Sequence, residues 1–239
     1  MKTTRLLGVA LLATSVLLGA CDDDDEDPTE PTNTATVQFV NLTGQNIDIG
    51  QNGNFAGRTN LAFGTGSCLS VNTASPGLTF RQNGQTTTWT PTGFNAGSLT
   101  AGQNYTVVLR NGSTAGTYTG TQFTDTYSGA SASMGGVRVI NATTGTTNYG
   151  LYVGPAGTTR PATATDASFG AGEFTSSFIP VATGNGQVWF TTGAGAAITN
   201  AFTTGSFPVA ANGYQTVIVA DAATTGGELR STRVNRCTS

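Results

Sequence analysis

The chain has no histidine in 239 residues, and its single lysine is Lys2. A Ser-His-Asp or Cys-His centre needs an imidazole base, so that chemistry is excluded. Ser-Lys chemistry would have to rest on Lys2, ahead of any folded body. Cysteine is almost as scarce: Cys21, Cys68 and Cys237. Zinc sites normally draw on several Cys and His together, so no metal and no cofactor is expected. Charged residues make up 10% of the chain, against a usual ~25%. The net charge of −3 comes from a short stretch near the N-terminus. From residue 35 onward eight arginines (58, 81, 110, 138, 160, 230, 233, 236) face six acids (Asp48, Asp125, Asp166, Glu173, Asp221, Glu228). Single scattered arginines do not form the basic stripe of a nucleic-acid binder, so no nucleic-acid partner is expected. No 3.6-residue apolar period occurs after Cys21, which argues against helices.

Glycine and turn residues take the place of charge. Gly is 33 of 239 residues, about twice its usual ~7%. Asn52-Gly53-Asn54, Asn83-Gly84, Asn111-Gly112, Gly184-Asn185-Gly186 and Asn212-Gly213 supply the positive φ that tight turns need. Between them run period-2 segments. Val37, Phe39 and Asn41 alternate with Gln38 and Val40; Tyr105, Val107 and Leu109 alternate with Thr106, Val108 and Arg110. Such alternation predicts half-buried strands.

The body also repeats itself. Val37–Asn41 matches Val137–Asn141, and Asn46–Gly50 matches Tyr149–Gly154. Phe63–Gly66 matches Phe169–Gly172, and Leu78–Arg81 lies opposite Val188–Thr191. Leu99 through Tyr105–Leu109 matches Phe207 through Tyr214–Val219. Five ordered matches about 100 residues apart imply a duplicated domain, since solenoid repeats run ~20–50 residues. Short strands with frequent turn signals in units of this size predict an all-β protein of two tandem immunoglobulin-like β-sandwich domains. The expected boundaries are 35–130 and 131–239.

Ahead of the body, Lys2 and Arg5 precede an apolar run from Leu6 to Leu18. That run suits a signal h-region and is too short for the ~20 residues of a spanning helix. Leu17-Leu18-Gly19-Ala20-Cys21 follows: an aliphatic residue, two small residues and a cysteine. This resembles the lipobox of bacterial lipoproteins. The resemblance implies a signal peptide over 1–20 and lipidation of Cys21, with the membrane as partner through a lipid anchor. Two or more acyl chains suffice for stable anchoring. Residues 22–34 then carry seven acids, no base and almost nothing apolar, the composition of an extended tether reaching at most ~45 Å. Calcium loops space their ligands around a turn glycine; the run Asp22–Asp27 does neither and reads as a spacer. Acids directly after the lipidated cysteine resemble an inner-membrane retention signal in enterobacteria and a surface-export signal in the Bacteroidetes group. Six in a row favour the second, so the expected location is the bacterial cell envelope, at the outer membrane or cell surface.

Across residues 35–235, twice over, the strand pattern resembles bacterial lipoproteins built from domain of unknown function 4397. Leu99-Thr100-Ala101-Gly102-Gln103-Asn104-Tyr105-Thr106-Val107-Val108 is the most specific stretch. The second copy departs from it at Pro208–Gly213. The resemblance implies an anchored envelope protein with paired β domains and brings no functional residues with it.

Few residues remain as site candidates. Export to an oxidising compartment favours pairing of Cys68 with Cys237, the alternative being two separate thiols. Trp89, in the polar stretch Thr86–Pro91, is either a sugar-stacking platform and ligand contact or a core residue, the second being favoured. Trp189, in an apolar strand, reads as core. The Asn-x-Thr/Ser triplets at Asn41, Asn104, Asn111 and Asn141 read as turn and strand-edge residues. Gly64-Thr65-Gly66 and Gly184-Asn185-Gly186 lack the Gly-Lys-Ser/Thr of a phosphate loop and read as turns. The expected function is a non-catalytic binding or display module whose partner is an envelope protein or polysaccharide. The alternative is a carbohydrate-active enzyme using a carboxylate pair.

Overall fold

A computed structural model describes residues 33–55, 58–126, 128–143, 145–175, 177–192, 199–221 and 229–237. The signal, Cys21 and most of the tether lie outside them. Residues 33–239 form one compact unit. The first repeat contributes β1 (Thr34–Leu42), β2 (Ile47–Gln51), β3 (Gly66–Asn72), β4 (Leu78–Gln82), β5 (Thr88–Trp89), β6 (Asn104–Asn111) and β7 (Tyr118–Thr124). The second contributes β8 (Met134–Asn141), β9 (Tyr149–Pro155), β10 (Asp166–Phe169), β11 (Ile179–Ala182) and β12 (Gly184–Thr192). It continues with β13 (Thr199–Thr203), β14 (Phe207–Val209), β15 (Tyr214–Asp221) and β16 (Leu229–Asn235). Among the described residues there is no α-helix, only a 3-10 turn at Ala96–Ser98.

The duplication is visible in the sheets. The first repeat has a sheet of order β3-β1-β6-β7, the second one of order β11-β8-β15-β16. In each, the first strand of the repeat runs parallel to the sixth-strand counterpart: Asn41 sits beside Leu109, and Asn141 beside Val219. Each of these sheets closes against a second one, β2-β4-β5 in the first repeat and β10-β9-β12-β13 in the second. Phe39, Ile49, Phe80, Val107 and Leu109 fill the first sandwich. Val139, Leu151, Phe190, Val217 and Val219 fill the second.

The expectation of half-buried strands is corrected here. β1, β6, β8 and β15 are buried on both faces. Their odd-numbered residues enter the two sandwich cores. Their even-numbered residues form a third core of Val40, Leu42, Val108, Ile140, Ala142, Ile218 and Ala220, joined by Phe123 and Val234. The two four-stranded sheets therefore pack back to back, and the chain stacks four sheets in layers. The sequence signal is the near-continuous apolar run in these strands, which marks burial on both faces.

The packing across this seam is reciprocal. Register makes Phe123 and Val234 counterparts, since they pair with Thr106 and Thr216 on the neighbouring strands. Phe174 of the second repeat lays its ring 4.2 Å from that of Phe123. Its counterpart Gly66 lies so close to Val234 that a Cβ would sit 2.8 Å from Val234 Cγ1. Each repeat thus offers the same surface to the other, the isologous arrangement of a two-fold dimer carried in one chain.

Two sequence matches shift in the structure. Gly64 donates to the Asn41 carbonyl and Gly172 to the Asn141 carbonyl, both at 2.7 Å. Phe63 is therefore the counterpart of Ala171, and Leu61 that of Phe169. Tyr105 and Tyr214 are not counterparts either: Tyr105 pairs with Val37, whereas Gln215 pairs with Val137. A one-residue slip turns a side chain to the other face. Tyr105 is buried in the first core, where its hydroxyl accepts from the Thr100 N–H at 3.0 Å. Tyr214 faces the seam side against Phe178.

Turn chemistry behaves as expected at Asn52-Gly53, where Gln51 and Asn54 exchange backbone hydrogen bonds at 3.0 Å and both central residues have positive φ. Gly184-Asn185-Gly186 is not a turn. It opens β12, and the missing Cβ at Gly186 leaves room for the Phe207 ring of β14.

Candidate functional site

The seam is graded along the strand axis. Successive even positions read Gln38, Val40, Leu42 on β1 and Thr106, Val108, Arg110 on β6. On β8 they read Arg138, Ile140, Ala142, and on β15 Thr216, Ile218, Ala220. The first tier is polar, the second apolar, and the third opens into a groove. The chain enters β1 from Asn33, on the far side of the polar tier from Leu42, so the groove lies at the opposite end of these strands.

The polar tier is locked. Arg138 is 2% exposed, and its Nη1 lies 2.6 Å from Asp125 Oδ1 on the other repeat. Arg138 Nη2 donates to Thr106 Oγ1 at 2.8 Å, and Thr106 Oγ1 donates to Asp125 Oδ2 at 3.0 Å. The guanidinium also lies 4.9 Å from the Phe178 ring centre. Reading Arg138 as one of several scattered arginines misses this; the available signal is that Arg138 is the one charged residue of β8 and stands between Val137 and Val139. Beside it, Cys68 and Cys237 form a disulfide with Cα atoms 5.8 Å apart. Cys68 pairs with Gln38 across the sheet, and Gln38 Nε2 donates to the Asn235 carbonyl. The bridge therefore ties the end of the second repeat onto β3 of the first.

At the far end a cavity of 780 Å³ is lined by Leu42, Phe63, Arg110, Ala142, Ala171 and Ala220, with Asn111, Ser113, Thr119, Thr143 and Asp221 among its polar groups. Its origin is an asymmetry between the copies. Where the first repeat has Leu42, Phe63 and Arg110, the second has Ala142, Ala171 and Ala220. Three large-to-small differences at counterpart positions leave the space open, within the ~300–1,000 Å³ of ordinary ligand sites. Arg110 Nη2 makes one long contact, 3.4 Å, to Thr121 Oγ1, and no carboxylate pairs with it among the described residues. Burial away from water pushes its guanidinium below the ordinary value.

The Asn-x-Thr triplets fasten the strand ends from which Leu42 and Ala142 enter the groove. Asn41 and Asn141 are fully buried. Asn41 Oδ1 accepts from the N–H and hydroxyl of Thr43, and its Nδ2 donates to the Leu61 carbonyl at 2.7 Å. Asn141 repeats the pattern with Thr143 and the Phe169 carbonyl. These amides hold a loop to the strand end; the expectation of turn and strand-edge residues gives their place at the end of the strand and not their burial.

Trp89 is engaged on the first sandwich. Its ring stacks on Tyr118 at 4.0 Å and on Phe80 at 5.1 Å between centroids, and it packs against the first core. It is partly buried there and lines none of the cavities at the seam. Trp189 is 4% exposed, but on the face of β12 opposite Val188 and Phe190, so it lies outside the between-sheet core.

The carboxylates have separate occupations. Asp48, 1% exposed, accepts from Arg81 Nε at 2.9 Å, Asn83 Nδ2 at 2.8 Å and the Asn60 N–H at 2.9 Å. Asp125 holds Arg138, Asp166 accepts from the Ser168 N–H, and Glu173 accepts from the Gly170 N–H. The groove that Asp221 lines contains no second carboxylate. Glu228 lies outside the described residues. Among the described residues no group of three or more Cys, Asp or Glu could hold a metal ion.

Burial pushes the Asp48 carboxyl up, but the Asn83, Asn60 and Arg81 donors outweigh it and hold it below its ordinary 3.8. A depressed folded-state value stabilises the fold above the unfolded value and loses that contribution as pH falls through the folded one. Stability measured by urea titration should therefore drop below about pH 4, and Asp48→Asn should show a smaller drop over the same range. Equal acid sensitivity in both proteins would remove Asp48 from the account.

No known family model matches the chain, and no curated protein matches it in sequence.

Proposed function

We propose that the protein is a lipid-anchored envelope lipoprotein that binds or displays a partner through the groove at the seam of its two repeats. The resemblance to lipoproteins of domain of unknown function 4397, the immunoglobulin-like reading of each repeat and the surface location belong to this proposal. The observation that carries it is the position of the groove: it opens at the ends of β1, β6, β8 and β15 that lie opposite the entry of the chain at Asn33. Asp48, Asp125, Asp166 and Glu173 each hold a different donor, which with the absence of histidine favours binding over catalysis.

The test has two arms. Cys21→Ser should leave the membrane fraction, or accumulate as precursor, while the unaltered chain partitions with membranes. If Cys21→Ser stays membrane-bound at full mature size, the anchor is something else. In the second arm, an envelope glycan array and isolated envelope proteins are probed with the unaltered chain and with Ala142→Leu, which restores the larger residue of the first copy and fills the groove. Ala142→Leu should lose binding; retained binding would move the partner surface elsewhere.

A further inference from the structure

We infer that the groove binds an acidic saccharide, with Arg110 taking its carboxylate. The inference rests on the binding-module reading above and gives it a ligand class. Two arginines occupy the even-numbered rows of the seam strands, and they differ. Arg138 is matched by Asp125 and two threonine hydroxyls. Arg110, in the same row as Thr106 and Val108, is half-buried with one 3.4 Å contact and no acid. A half-buried guanidinium with one long contact and no ion-paired carboxylate keeps donors to offer a ligand, and its planar fork is shaped for a carboxylate. The fold does not require it, since the counterpart position in the second repeat is Ala220 and the strand there is intact.

The rest of the lining suits a sugar. Phe63 and Leu42 offer an apolar face for pyranose C–H groups. Asn111, Ser113, Thr119 and Thr143 line the groove with amide and hydroxyl groups suited to sugar hydroxyls. A uronic acid unit brings one carboxylate among several hydroxyls and matches one guanidinium among neutral polar groups, whereas an acidic peptide brings several carboxylates to a single arginine.

The experiment is calorimetry on the purified chain with trimers of galacturonate, glucuronate and mannuronate, their methyl esters, and tri-glutamate. At least one uronate trimer should bind, its ester should bind at least about tenfold more weakly, and added salt should weaken the acid form. Arg110→Gln should cost about tenfold or more in affinity, with Arg110→Lys recovering part, because lysine keeps the charge and loses the fork. Thermal melting of both variants, unchanged within a few degrees, separates this loss from unfolding. Equal binding of acid and ester, or affinity indifferent to Arg110→Gln, overturns the acidic class; if Ala142→Leu still abolishes binding, the groove remains the binding surface. Tri-glutamate binding as tightly and with the same Arg110 dependence overturns the saccharide class. Failure of all three uronate trimers to bind overturns the inference outright, while the array with Ala142→Leu decides the binding-module reading by itself.

Discussion

Asp125→Ala is expected to destabilise the protein by about 3–5 kcal/mol, the usual cost of leaving one member of a buried ion pair unpaired. The reason is the setting of Arg138. Its side chain is 3% exposed and cannot swing to water, and the Thr106 and Thr216 hydroxyls around it carry no full negative charge. The guanidinium would stay charged inside the seam, because arginine does not give up its proton in proteins. Arg138→Met alone should cost a similar amount by stranding Asp125. The pair Arg138→Met with Asp125→Leu should recover most of the loss, since apolar replacements of buried ion pairs are often neutral or stabilising. Chemical denaturation of the four proteins forms the cycle. If Asp125→Ala costs less than about 1 kcal/mol, the range of an exposed pair, the seam admits water and the tier is not a lock.

Loss of the disulfide is the second large effect. Cys68 and Cys237 close a loop with a sequence separation of 169 residues, for which the chain-entropy argument gives about 5 kcal/mol as an upper figure. Replacing both by serine should lower the unfolding free energy by about 3–5 kcal/mol. Cys237 is 6% exposed and the C-terminal strand β16 is an edge strand, so the loss should appear first as fraying of β16, readable by hydrogen exchange at Thr232 and Val234. Thiol counting on the unreduced, denatured protein checks the premise: neither body cysteine should titrate, and two titratable body thiols would end the argument. The disulfide and the Arg138–Asp125 pair bound the same tier, so their losses should not be additive.

Much of the fold was legible because its signals are local. Period-2 segments marked β1 and β6, the ordered matches carried that reading to β8 and β15, and Asn52-Gly53 marked its turn. The seam was not legible for a physical reason. Val40, Val108, Ile140 and Ile218 are apolar residues at the alternate positions of strands whose other face already has a core, and alternation read for one face hides a second. The slip between Tyr105 and Tyr214 has the same origin: matching like residues by letter overrode the register set by Thr106 and Thr216. The groove was beyond reach, because it depends on which positions of the two copies confront each other. Only after register assigned Leu42 to Ala142, Phe63 to Ala171 and Arg110 to Ala220 could the missing volume be seen.

The placement of β1 gives the molecule a mechanical character. A pull between Asn33 and an occupant of the groove runs along the length of β1, from Thr34 to Leu42. That strand is held by β3 on one side and β6 on the other, with its ladder bonds lying across the line of force. Load in this direction is shear, shared by every rung at once, whereas peeling a hairpin breaks rungs one after another. Resistance to such a pull is set by the unfolding rate and not by equilibrium stability. The weak direction would be an unzipping of the edge strand β16, and there the Cys68–Cys237 bond diverts the tension back into the strand next to β1.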